Sequence, residues 1–192
     1  MNLRARLPAA LDSASSDGIR VGLIGPTLRD RKAGGAVNAA GENAGAYQLV
    51  SGLSTSGSLI DRAAFEAVGR MWDPLFIDGI DHEWCYRAQD RGFNIVQSRT
   101  VEMDHDMGDA GINFFGRYKP IHRSPFRHYH IVRNTLWLAD LDHIPKSFSR
   151  SELTKLAYRI PTYLLVSSSK LQTLSSIFRG LRDGLFAKHE KP

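Results

Sequence analysis

The segment FIDGIDHEWCYRAQDRGF, Phe76–Phe93, places three acids, Asp78, Asp81 and Glu83, within six residues. Its pattern predicts a loop running into a helix that begins near Asp81. Trp84, Cys85 and Ala88 would form the buried stripe, and Gly92 would be the left-handed residue that ends it. Acids in a first helical turn complement the positive end of the helix dipole at about 0.3–1 kcal/mol each, and Asp is a common N-cap. Helix formation alone therefore accounts for part of the cluster. Three neighbouring carboxylates also repel one another, and a cation, a metal or a raised pKa relieves that repulsion; a raised pKa is what a general base requires. Arg87 follows Glu83 by four residues, within reach on the same helix face. Spacing alone leaves a structural and a catalytic reading side by side.

Outward from this segment the pattern is mixed α/β. On the C-terminal side Phe93–Ser98 reads as a strand. Val101–Asp109 follows it, with four acids around His105; it is either a solvated acidic loop or an imidazole–carboxylate set suited to Mn²⁺ or Mg²⁺. On the N-terminal side, Leu7–Ala14 reads as a short helix, Ser13–Gly18 as a turn, and Ile19–Pro26 as a buried strand ending at Gly25-Pro26. Thr27–Ala46 is rich in Gly, Ala and Asn and reads as a mobile loop, with no phosphate-cradling glycine motif. Tyr47–Ile60 supplies one or two strands, and Asp61 caps a helix over Arg62–Val68 that Gly69 closes.

The chain has 192 residues, 42% hydrophobic and 9% aromatic, enough for one sizeable domain or a piece of a larger one and too apolar for a disordered segment. Its one cysteine, Cys85, excludes an internal disulfide framework and suits a reducing compartment, so a cytoplasmic location is expected. The opening eighteen residues hold too short an apolar run for a secretory signal. The net charge of +5 conceals two halves: residues 1–111 hold 11 Lys/Arg against 15 Asp/Glu, and residues 112–192 hold 14 against 5. An acidic half suits cations and metal-bound substrates, and a basic half suits phosphates, nucleic acid or an anionic membrane.

Within the basic half, Arg117, Lys119, Arg123, Arg127 and Arg133 interleave with Tyr118, Phe126, His128, Tyr129 and His130. Such a stretch has the composition of an RNA-binding surface. It also fits a helix beginning near Pro125, because Tyr129, Val132, Leu136 and Ala139 recur at helical spacing. Further on, the apolar run Ile160–Val166 is too short to span a bilayer and is interrupted by Pro161. Leu171, Leu174, Ile177, Phe178, Leu181 and Leu185 then repeat at three- and four-residue steps beside Lys170, Arg179, Arg182 and Lys188. This is a basic amphipathic helix, suited to packing on the parent domain or to lying on the inner face of a membrane.

The run FIDGIDHEWCYRAQDRGFNIV, preceded by TSGSLIDRAAFEAVG and followed by a His and an Arg-Asn pair, resembles the C-terminal half of a family 2 glycosyltransferase. It is most similar to bacterial rhamnosyltransferases that build cell-surface polysaccharide. The likeness runs from about Ile19 to Arg182. It implies a partial GT-A-like (Rossmann-like) α/β domain followed by C-terminal helices: an N-terminal segment 1–18, an acceptor-side half 19–111 and a basic helical region 112–192. By this resemblance Asp81 is the base that deprotonates the acceptor hydroxyl, Glu83 is the acidic residue beside it and Asp78 is the reserve. Thr55, Ser56 and Gly57 border the donor and acceptor pocket, Trp84, Arg87 and Asn134 join the substrate-binding set, Arg133 contacts a diphosphate, and His105 contacts a divalent metal. The implied partners are a nucleotide sugar like dTDP-rhamnose and a glycan or lipid-linked acceptor, with nucleic acid disfavoured. Arg70 stands where relatives carry a second glycine. The family's Asp-x-Asp metal motif belongs to an N-terminal half with no counterpart here, and Asp104-x-Asp106 falls in the wrong order. A truncated enzyme is therefore expected, with a non-catalytic interaction module and an RNA-binding protein as alternatives.

Overall fold

A computed structural model describes residues 3–30, 35–37, 45–105, 112–114, 117–119 and 124–192. The chain divides into two compact units, one of residues 1–71 and 84–107 and one of residues 72–83 and 108–192.

The first unit comprises α1 (Leu3–Ser16), β1 (Val21–Asp30), β2 (Gly35–Val37), β3 (Tyr47–Val50), β4 (Leu59–Ile60), α2 (Arg62–Val68), the body of α3 (Ile80–Asp90) and β5 (Asn94–His105). Its sheet has the order β2-β1-β5-β3, with β4 also on β1. β1 and β5 are parallel and every other pair is antiparallel. Leu23 and Ile95, partners in register, face a core with Ala64, Val68, Trp84, Cys85 and Ala88 from α2 and α3. The next pair, Ile24 and Val96, faces Leu7, Ala10 and Ala14 of α1. A strand covered on both faces cannot alternate apolar with polar, which explains the unbroken apolar run of β1.

Several boundaries differ from the sequence reading. α1 extends from Leu3 to Ser16 with Pro8 in its interior, and Gly18 at φ 79° ends the turn after it. β1 does not stop at Gly25-Pro26 but continues to Asp30. The β1–β5 register shifts between Gly25 and Thr27, so Pro26, which has no N–H to give, sits at an irregularity where no ladder bond is needed. Beyond it the Thr27 hydroxyl donates to the Ser98 carbonyl at 2.9 Å. β5 runs on through Val101 to His105, replacing the expected acidic loop up to that residue. The helix over Arg62–Val68 forms as expected, with the Asp61 carboxylate accepting the Ala64 N–H and Gly69 at φ 85° closing it. The rest of the loop expected over Thr27–Ala46 lies largely outside the described residues.

The second unit holds a short 3₁₀ turn at Asp73–Leu75, the first turn of α3, a two-stranded ribbon of β6 (Ile112–Phe114) and β7 (Arg117–Lys119), then α4 (Pro125–Ala139), α5 (Lys146–Val166) and α6 (Lys170–Phe186). Ile131, Val132, Leu156, Tyr163 and Ile177 form its core. α6 packs against α4 through small residues: a Cβ at Gly180 would lie 2.8 Å from the Tyr129 carbonyl oxygen, and one at Gly184 would lie 2.5 Å from Leu136 Cδ1. α5 continues through Pro161, contrary to the expected interruption. His128, His130 and Arg133, counted among RNA-facing groups in the sequence reading, are buried in α4. Segment 72–83 therefore belongs with the C-terminal helices, where the sequence reading had grouped it with the preceding domain.

Candidate functional site

The site is built on the loop that links the 3₁₀ turn to α3. Phe76 adopts φ 60°, ψ −57°, and the Ile77 N–H donates back to the Leu75 carbonyl at 2.7 Å. This is the rare γ-turn with a positive central φ, a strained conformation for any residue with a side chain. Asp78 also has positive φ, 62°, and Gly79 follows at 90°. Two non-glycine residues in such conformations cost about 1–3 kcal/mol each, so the surrounding structure must impose them.

Asn134 and Arg133 of α4 do so. The Asn134 amide nitrogen donates to the carbonyls of Leu75, Ile77 and Asp78 at 2.8, 2.6 and 2.8 Å. Its two hydrogens are thus shared among three acceptors. The Arg133 guanidinium donates to the Pro74 carbonyl at 2.6 Å and, through Nε and Nη2, to the Asn134 side-chain oxygen at 3.0 and 2.8 Å, fixing which way the amide points. Trp137 stacks on that guanidinium, 4.1 Å from its ring centre. Both side chains are buried, and these bonds run to the loop and to each other. The Arg-Asn pair, expected to contact substrate or diphosphate, instead clamps the loop that carries the acids.

The three acids of that loop have separate environments. Asp78 receives both Nε and Nη2 of Arg127 at 2.8 Å each, a bidentate, charge-assisted pair. Glu83 has no exposed surface and meets His143 Nε2 at 2.9 Å. Glu83, expected as the acidic residue beside the base, is thus buried and turned to His143. Asp81 lies between them in the first turn of α3 and is half-buried, so its carboxylate combines a helix N-terminus with open surface. Nearby, His130 is buried and its Nδ1 has no partner; burial and the Arg133 cation lower its pKa despite the opposing Asp78 carboxylate, which favours the neutral ring.

The remaining predicted residues lie in the first unit. The Trp84 indole donates to the Gly69 carbonyl at 2.9 Å, and Arg87 donates to the Val68 and Arg70 carbonyls at 2.8 Å each. Both are buried. These two residues, expected in the substrate-binding set, here hold the C-terminal end of α2, including the position where Arg70 replaces a glycine. Thr55, Ser56 and Gly57 occupy a tight turn in which Ser58 N–H donates to the Thr55 carbonyl and Gly57 has φ 69°; Thr55 is exposed. His105 ends β5. Adjacent strand residues point to opposite faces, so Asp104 and His105 cannot grip one ion together. Among the described residues no group of three or more His, Cys, Asp or Glu side chains could hold a metal, and Asp106 and Asp109 fall outside them.

His143 was not singled out by the sequence, and Arg127 only as one of the cations of the basic aromatic stretch. Arg127 lies 49 residues from Asp78 and His143 lies 60 from Glu83, and no local spacing signals pairs so far apart.

By sequence comparison the chain is similar to a sugar transferase. It is 30% identical over 131 residues to the dTDP-rhamnosyl transferase RfbF of Shigella flexneri, an overlap covering 68% of this chain and 44% of that protein. The chain thus spans less than half the length of the relative it matches. No family model matches the chain, and no solved structure does.

Proposed function

We propose that this chain carries the acceptor-side part of a glycosyltransferase that moves a sugar, rhamnose, from a dTDP-type donor to a glycan or lipid-linked acceptor with inversion. The observation that supports it most is the loop itself: strain at Phe76 and Asp78, imposed by a buried Arg-Asn clamp, sets Asp81 at an accessible helix N-terminus. In this reading Asp81 takes the proton from the acceptor hydroxyl and that oxygen attacks the anomeric carbon from the face opposite the leaving diphosphate. Arg127, through the Asp78 carboxylate, and Asn134, through the backbone carbonyls, hold the neighbouring loop so that the base does not have to be oriented during the reaction. A divalent ion bound with the donor would neutralise the diphosphate; His105 is the proposed contact, and no step here depends on it.

The test is the thermal midpoint of the purified chain with dTDP-rhamnose. A ligand at 100 times its dissociation constant adds about 2.7 kcal/mol, a rise of several degrees. A rise with dTDP-rhamnose that exceeds that with dTDP alone is expected. A cooperative transition that neither ligand moves would favour the interaction-module reading.

We also propose that α6 rests on an anionic membrane surface. Its buried face consists of Thr173, Ser176, Ile177 and Gly180, so the larger apolar residues turn outward: Leu171, Leu174, Phe178 and Leu185 are 82, 52, 68 and 62% exposed. Lys170, Arg179 and Arg182 flank them, and the single acid of the helix, Asp183, accepts from Tyr129 and Arg182. A second copy along this stripe would set like charges against each other, whereas anionic lipid offsets each cation by about 1 kcal/mol. No helix among the described residues is long and apolar enough to cross a membrane, so the proposed contact is interfacial. Binding to phosphatidylglycerol-containing vesicles that weakens with added salt and with Phe178→Glu is expected in co-sedimentation; equal binding of wild type and Phe178→Glu would remove the proposal.

A further inference from the structure

Phe76 is the least economical residue in the candidate site. It occupies the strained centre of a γ-turn, a place where glycine carries no steric cost. Nor does its side chain compensate by burial, since it is 66% exposed. Its ring sits edge-on to Phe126 with centroids 6.0 Å apart, and Phe126 is itself 58% exposed. Beneath them lies the buried His130, with centroids 5.4 Å from Phe76 and 4.6 Å from Phe126. Two exposed aromatic rings are thus held by a third in a fixed arrangement, two residues from Asp78 and five from Asp81. Strain retained without a gain in packing points to use by a ligand.

We infer that Phe76 and Phe126 form a platform for the acceptor's sugar ring, on which the apolar C–H face of a pyranose lies while its hydroxyls turn toward the acids of the loop. The chemistry matches an aromatic surface with a polar edge: the rings supply rigid apolar area at little cost in conformational entropy, and the Asp78 carboxylate, two residues along, supplies hydrogen-bond acceptors. A nucleoside diphosphate is the weaker occupant for this place, because the guanidinium of Arg127 is already committed to Asp78 through two bonds and that of Arg133 to loop carbonyls and Asn134. The inference deepens the sugar-transfer reading and rests on it for the word acceptor; the platform itself rests on the geometry.

The experiment uses three probes, methyl β-D-glucoside, methyl α-L-rhamnoside and methyl N-acetyl-β-D-glucosaminide, with saturation-transfer NMR on the full chain, wild type and Phe76→Gly. Saturation of the ring C–H protons of at least one glycoside is expected with wild type, and a loss of tenfold or more in its affinity with Phe76→Gly. Because glycine accepts the γ-turn, the same variant is expected to melt at or above the wild-type temperature, a result that a purely structural role for Phe76 would not give. Phe126→Ala, outside the strained turn, is expected to weaken the same probe. Absence of transfer to any glycoside, or undiminished binding by Phe76→Gly, overturns the platform. Donor stabilisation by dTDP-rhamnose is measured in parallel and is expected to be the same in both proteins, so a failure of the platform is separable from a failure of the sugar-transfer reading.

Discussion

Asp81→Asn is expected to lower sugar transfer by about 10²–10⁴-fold, the usual contribution of a positioned proton acceptor, while donor binding and thermal midpoint stay close to wild type. The substitution preserves size and removes basicity. Asp81 is half-buried in a first helical turn, so the structural loss is confined to the dipole interaction, about 0.3–1 kcal/mol. Initial rates with saturating donor check it. The comparison with Asp78→Asn carries the assignment. Asp78 accepts two bonds from Arg127, and neutralising it weakens a charge-assisted pair, so this variant should lose stability along with activity. If Asp78→Asn abolished transfer at an unchanged midpoint and Asp81→Asn did not, the base would be Asp78. Glu83→Gln acts on a wholly buried group that meets His143, and its effect belongs in the unfolding curve rather than in the rate.

The second large effect falls on stability. Asn134→Asp keeps the shape of the side chain and the oxygen that Arg133 grips, yet replaces the amide nitrogen with an acceptor facing the carbonyls of Leu75, Ile77 and Asp78. Buried acceptors left without donors cost about 1–3 kcal/mol each. With the strain of two positive-φ residues no longer opposed, a loss of about 3 kcal/mol is expected. At roughly 4–8 °C per kcal/mol for a unit of this size, that is a fall of more than ten degrees in the midpoint. Urea unfolding followed by tryptophan fluorescence measures it directly. An Asn134→Asp protein as stable as wild type would mean that the loop holds its own conformation and that the clamp only accompanies it.

How much of the site was legible depends on the range of the interaction. The acid cluster, the start of α3 near Asp81, the Asp61 cap and the glycine stops at Gly69 and Gly92 are consequences of contacts within about four residues, and the sequence displays them. The Arg-Asn pair is visible as a motif that suggests a ligand for phosphate, because a guanidinium next to an amide has the same letters whether it meets a diphosphate or four backbone carbonyls of its own chain. The amphipathic pattern of α6 was likewise visible, but not which side faces inward. Helical spacing made the leucines the natural buried stripe, whereas the close approach permitted by Gly180 and Gly184 put the small residues against α4 and left most of the leucines outside.

The sequence by itself determined that the chain folds as α/β segments followed by helices, where the acids concentrate, and which family of enzymes it resembles, since those properties reside in composition, periodicity and motif order. Only the tertiary structure decided that Glu83, Trp84 and Arg87 are internal supports, that Asp78 is tied to Arg127, and that Phe76 stands exposed in a strained turn. Those outcomes depend on partners up to 60 residues away and on the space left once helices pack, and neither quantity is written in local spacing.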